Sequence, residues 1–169
     1  MQSSTSKGSS GKAIQLGGLW ALLISVSIVF ADQLTKSWIR ANLQVGQSVI
    51  DLGFLRITNI SNAGAAFGLF PDYSLFLTIF SLLGVTALVI LILASHKVVL
   101  LKDSLSRLAL GLVAGGTAGN LLDRFMRGYV TDFIDFGFWP AFNIADSAIS
   151  IGTVLIVLLA IRMARATGS

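Results

Sequence analysis

The chemistry open to this chain rests on carboxylates and amides. All eight acidic residues are Asp, Glu is absent, His96 is the single histidine, and there is no Cys. Without a thiol there is no Cys nucleophile or disulfide, and one imidazole with no thiolate cannot build the usual zinc sites, so no metal or cofactor is expected. Two Asp in a partly desolvated site cannot both ionise cheaply. Such a pair holds one proton, and one member then activates water while the other protonates or polarises a peptide carbonyl. That hydrolysis needs no His, Cys or metal. A Ser/Lys dyad through Lys36 lacks a convincing Ser.

Four polar clusters interrupt apolar sequence. Asp32, Thr35 and Lys36 stand at i, i+3 and i+4 and share a helical face. The plain structural reading is a Lys snorkelling to headgroups beside an Asp. Asn62-Ala-Gly-Ala-Ala-Phe67-Gly68 couples a donor and acceptor at Asn62 to small residues that permit close backbone approach, and a tightly packed turn or helix explains it equally well. In Gly115-Gly116-Thr-Ala-Gly119-Asn120-Leu-Leu-Asp123-Arg124 the glycines suit helix packing in lipid, and Asn120, Asp123 and Arg124 share a face. The basic neighbour holds Asp123 ionised, which favours an architectural role for Asp123 and Arg124. The last cluster is Asp132-Phe-Ile-Asp135 with Phe142-Asn143-Ile-Ala-Asp146, and Ser150 continues its face. Asp146 sits in apolar sequence with no basic residue near it, which marks a functional group, although an acid at a helix N-terminus is the structural alternative. Asp132 and Asp135 compete for one role: a helical turn lets both face the site, whereas an extended backbone turns them to opposite faces.

The elements that must position these clusters are membrane helices. Hydrophobic residues make up 54% of the 169, charged residues only 12%, and mean hydropathy is +0.83, against roughly 25% charged residues in a soluble domain. A span needs about 20 apolar residues. Leu16 to Lys36 and Tyr73 to Ser95 qualify, and the shorter runs Leu108 to Leu122 and Ser147 to Ile161 qualify when extended through the Asp at one end of each. The expectation is an all-α membrane protein of four transmembrane helices, a single domain over 13–169, preceded by a disordered tail over 1–12. Lys7 and Lys12 resemble the start of a secretory signal, but the apolar run is long for a cleaved segment, so a retained anchor is expected. Val49 to Ile60, rich in β-branched residues between Gly46 and Gly64, predicts one or two short strands along the membrane surface.

Lys7, Lys12, Lys97, Lys102, Arg107, Arg162 and Arg165 fall on one side, and Lys36, Arg40, Arg56, Arg124 and Arg127 on the other. Seven against five, with the excess in the shorter segments, places both termini in the cytoplasm. Trp38, Tyr73, Tyr129 and Trp139 then become outer interfacial anchors, Pro71 and Pro140 fall in outer connections, and seven of the eight Asp lie at or beyond the outer boundary. The net charge of +4 reflects orientation, with no nucleic-acid partner expected.

The motifs at 32–36, 62–67, 116–124, 130–136 and 142–146 resemble, in order and placement, those of bacterial lipoprotein signal peptidases (signal peptidase II). The resemblance implies an aspartic endopeptidase of the bacterial inner membrane that cuts diacylglyceryl-modified prolipoproteins before the lipidated Cys. It implies Asp132 and Asp146 as the catalytic pair, Asn62, Asn120, Arg124 and Asn143 lining the site, and Asp32 with Lys36 supporting it. It also implies a small outer β-structure and outer helix cradling the substrate. A monomer in contact with membrane lipids is expected. The sequence departs from the family pattern at Ser61, where many members carry Arg, and in a short link between Phe136 and Phe142. An ion-coupled transporter and a metal-dependent lipid phosphotransferase are the alternatives; the first lacks an inverted repeat, and a chelator tests the second.

Overall fold

The computed structural model describes residues 6–64, 73–94 and 103–167. Four helices, α1 (Ser6–Asn42), α2 (Tyr73–Leu93), α3 (Ser104–Arg127) and α4 (Ile144–Thr167), accompany three strands, β1 (Ser48–Asp51), β2 (Arg56–Asn62) and β3 (Val130–Asp135). The backbone of α1 is already helical from Ser6, within the segment read from sequence as tail. Phe67, Gly68, Pro71, Asp72, His96, Lys97 and Lys102 lie outside the described residues.

Among the described residues the largest fully buried side chains are mostly polar, while many large apolar side chains are exposed. Of the seven largest fully buried side chains, six are polar (Lys36, Asn143, Thr131, Asp32, Asp123 and Asp132), while Phe30, Phe80 and Val154 are more than half exposed. In water that arrangement is unstable, because exposed apolar area costs about 25 cal/mol per Å². In a bilayer the apolar faces meet lipid and the polar groups satisfy one another inside. Helices α1, α2 and α4 contain stretches long and apolar enough to cross a membrane: Gly18–Asn42, Leu75–Leu93 and Ile144–Ala166. The α3 sequence carries Arg107, Asp123, Arg124 and Arg127 and is less apolar than these.

Helix α3 packs between α1 and α4, and its glycines permit the approach. A β-carbon on Gly115 would stand 2.7 Å from the Ser25 carbonyl oxygen of α1, and one on Gly116 would run into the Ala145 carbonyl oxygen of α4. Asp103 starts α3 by accepting the backbone N–H groups of Leu105 and Ser106, and Gly128 ends it in the left-handed conformation (φ 77°) that turns the chain into β3.

The strands form one antiparallel sheet in the order β1-β2-β3. One or two short strands were expected between 49 and 60; β1 and β2 lie there, and β3 pairs with β2 from far away in sequence. The sheet is held over the ends of α1 and α4 by a small core of Ile39, Leu43 and Phe133, flanked by Ile57, Ile134 and Ile144. Buried Asn59 ties it further, donating to the Leu43 carbonyl at 2.8 Å. The link from β3 to α4 is clamped by Phe142, whose carbonyl accepts from the N–H groups of Phe133 and Ile134.

Candidate active site

The extended backbone of β3 separates Asp132 from Asp135. In register, Asp132 opposes Ile60 and Asp135 opposes Arg56. Asp135 turns outward to Arg56 (2.7 Å) and accepts the Gly137 N–H, while Asp132 turns inward and is 1% exposed. Its Oδ1 accepts from Asn143 Nδ2 at 2.7 Å, and its Oδ2 accepts from Asn62 Nδ2 at 2.8 Å. Burial pushes Asp132 up to about 6; the hydrogen bond from Asn62 opposes this, and the nearby charge of Asp146 adds to it.

Asp146 stands in the first turn of α4, where Asn143 precedes the helix. The Asn143 Oδ1 accepts the Asp146 N–H at 2.9 Å, and the Asp146 Oδ2 accepts the Asn143 N–H at 3.2 Å. This is a reciprocal cap, so the structural reading of Asp146 as a helix-start acid is geometrically satisfied. The second oxygen of Asp146 does something else: Oδ1 accepts from Asn120 Nδ2 of α3 at 2.7 Å. Asn143 therefore caps α4 and touches both acids at once. Ser150 is exposed and does not continue this face into the site.

Beneath the two acids lies an ion cluster. Lys36 does not snorkel: its side chain is fully buried, 2.8 Å from Asp32 Oδ2, 3.3 Å from Asp123 Oδ2 and 2.8 Å from Asn120 Oδ1. Three ammonium protons thus meet three acceptors. Thr35, expected to share this face, instead bonds its own helix at Ala31 and Asp32 carbonyls.

Asp123, read from sequence as architectural beside Arg124, finds its partners elsewhere. It accepts the Thr131 N–H at 3.0 Å and pairs with Lys36, Arg40 and, at 3.8 Å, Arg127. Arg124, one residue along the helix, reaches Ser81 of α2 at 3.5 Å and lies in electrostatic range of Asp146 and Asp132. Half-buried near both acids, it joins α2 to α3.

Three supporting residues escaped the sequence reading. Gln33 donates to Asp32 and to the Gly119 carbonyl, Arg40 joins Asp123 to Thr131, and buried Thr131 backs the strand. Arg40, one turn beyond Lys36, was the legible signal. Among the described residues no buried side-chain nitrogen or oxygen lacks a partner, and no group of His, Cys, Asp or Glu is arranged to hold a metal.

The family model for Signal peptidase (SPase) II matches residues 24–162, which include every residue of this site. The chain belongs to the signal peptidase II family. Among similar proteins, the lipoprotein signal peptidase of Dehalococcoides mccartyi is 41% identical over 140 residues, covering 83% of this chain and 88% of its own. That of Syntrophomonas wolfei is 43% identical, covering 78% and 86%, and that of Shewanella baltica is 44% identical, covering 83% and 84%. A solved bacterial membrane enzyme superposes with a TM-score of 0.73 at 33% identity, covering 84% of this chain and 87% of its own. A second reaches 0.72 at 34% identity, covering 82% and 90%. This signal peptidase II is accordingly a multi-pass membrane peptidase.

Proposed function

We propose that this enzyme removes signal peptides from diacylglyceryl-modified prolipoproteins, cutting before the lipidated Cys, with Asp132 and Asp146 as its catalytic pair. The observation that carries the reading is Asn143, which hydrogen-bonds both acids within one buried polar network. Among the described Asp, these two share that contact and stand apart from the cation-paired Asp32, Asp123 and Asp135.

With Asp132 raised to about 6 by burial, that acid keeps its proton into the mildly acidic range. The ionised member takes a proton from water as the oxygen attacks the scissile carbonyl carbon. The protonated member donates to that carbonyl oxygen, giving a diol; as the C–N bond breaks, the proton taken from water passes to the leaving amine and the donor acid recovers a proton from a diol hydroxyl. Both acids end as they began, and the products are a free signal peptide and a protein with an N-terminal lipidated Cys. Asn62 and Arg124 meet the substrate in this reading, while Asn120, Asp32, Lys36 and Asp123 hold the acids in place.

The reading extends to topology. Helix α3, packed between α1 and α4, is taken as a fourth span whose polar groups face protein. Both termini are cytoplasmic, the site opens at the outer face of the bacterial inner membrane, and the sheet forms the cradle for substrate. The enzyme works as a monomer in contact with membrane lipids.

The deciding assay uses purified protein in micelles with a diacylated prolipoprotein and its unlipidated form. Cleavage of the first alone, insensitive to chelator, is expected. Asp132→Asn and Asp146→Asn each abolish turnover while still folding. Wild-type turnover by either variant excludes the pair.

A further inference from the structure

Each of the three site asparagines has its carbonyl oxygen held by a group that can only donate. Asn62 Oδ1 accepts the Gly64 N–H at 2.8 Å, Asn143 Oδ1 accepts the Asp146 N–H at 2.9 Å, and Asn120 Oδ1 accepts the Lys36 ammonium at 2.8 Å and, more weakly, Asn143 Nδ2 at 3.2 Å. A backbone N–H and an ammonium have no acceptor to offer, so none of these amides can rotate by half a turn without setting donor against donor. Each must present its NH2 group to the acids. The result is that all four carboxylate oxygens of Asp132 and Asp146 face an N–H group.

Two of the three restraints are backbone groups, fixed wherever the chain folds. The third is a side chain. We infer that Lys36 is a positioning residue for the Asp132 and Asp146 pair: its buried ammonium holds Asn120 with the oxygen inward, so that Asn120 can only donate to Asp146.

Charge balance with Asp32 and Asp123 alone does not account for this arrangement. The contact from Lys36 to the neutral Asn120 (2.8 Å) is as short as that to Asp32 and shorter than that to Asp123 (3.3 Å). Asn120, 5% exposed, is what links the ion cluster to the pair. The charged groups around it are Lys36 with Asp32 behind it on α1, Asp123 and Arg124 on its own helix, Asp146 on α4, and Asp132 on β3, reached through Asn143.

The inference rests on the proposed catalytic pair, and its test separates the two. Asn120→Asp keeps the side-chain size and the acceptor for Lys36, but sets an acceptor against Asp146. With a diacylglyceryl-modified peptide in micelles, kcat at neutral pH is expected to fall by about tenfold or more, with KM moving less than about twofold. The ratio of variant to wild-type kcat then rises as pH falls, because a protonated acid donates again. Asn120→Ala, with nothing to titrate there, loses kcat without that recovery. A ratio flat with pH for Asn120→Asp means a merely structural role and overturns the inference. Asp146→Asn is assayed beside it: turnover by that variant sinks the pair itself, whereas a dead Asp146→Asn with a flat Asn120→Asp ratio sinks only the role of Lys36. If Asn120→Asp does not fold, a neutron structure of the wild-type protein decides, since deuterons on the Asn120 atom facing Lys36 overturn the inference and a bare oxygen there supports it.

Discussion

Asp32 on α1 accepts the backbone N–H of Ala145, in the first turn of α4, at 3.0 Å across 113 residues of sequence. The same carboxylate holds Lys36 through its other oxygen. One side chain thus caps a distant helix and balances a buried cation.

Asp32→Ala should therefore cost far more than a surface change. It leaves the Lys36 ammonium short of a counter-charge and a helix N–H without a partner, a loss of about 3–5 kcal/mol. Thermal unfolding in detergent checks this, and a shift no larger than that of an exposed Asp51→Ala contradicts it.

Asp135→Asn should keep measurable activity where Asp132→Asn has none. Its partner Arg56 is 42% exposed, so the pair contributes about 1 kcal/mol or less. A side-by-side cleavage assay at equal protein levels decides; a dead Asp135→Asn with an active Asp132→Asn reassigns the pair.

The pH dependence of stability follows from Asp132. Its value rises from 3.8 to about 6 on folding, so the fold favours the protonated form. That favourable contribution is complete below about pH 4 and is lost as pH rises through about 6. Relative to Asp132→Asn, the wild-type protein should lose on the order of 3 kcal/mol between those limits and level off above them. Parallel unfolding curves for the two proteins at every pH are the contrary outcome.

Gly119→Ala tests the packing under the site. The added carbon would lie 2.7 Å from Asp32 Oδ2, so the carboxylate or the helix must shift, at about 1–3 kcal/mol. Activity should fall together with stability, since Asp32 positions both Lys36 and α4. Full activity in a destabilised Gly119→Ala protein separates the two effects and argues against that coupling.

Topology is open to labelling, because the chain contains no Cys. A single Cys at Gln47 should react from outside intact cells, and one at Lys102 only after permeabilisation. Labelling of both from one side breaks the four-span arrangement.

Helix spacing made Asp32 with Lys36, Asn120 with Asp123, and Asn143 with Asp146 legible as pairs, because residues three or four apart share a face. The choice between Asp132 and Asp135 was not legible. It depends on whether residues 130–135 are extended, and that is decided by pairing with β2, some 70 residues away. The partners of Asp123 were hidden for the same reason. The adjacent Arg124 looks like its counter-ion in sequence, yet successive residues on a helix point about 100° apart, and α1 supplies Lys36 and Arg40 instead. Burial of Lys36 was likewise invisible, since a Lys near a helix end reads as a headgroup contact until three acceptors are brought to it.

The pair of acids draws its hydrogen bonds from Asn120 of α3, Asn62 of the sheet and Asn143 at the start of α4, and α4 is the last of the described elements. Until that helix enters the membrane, Asp146 is missing, Asp32 has no helix to cap, and Asn120 has no acid to face. In the proposed reading, a chain halted after β3 therefore lacks one of its two acids together with the Asn143 that holds the other, and cannot cut.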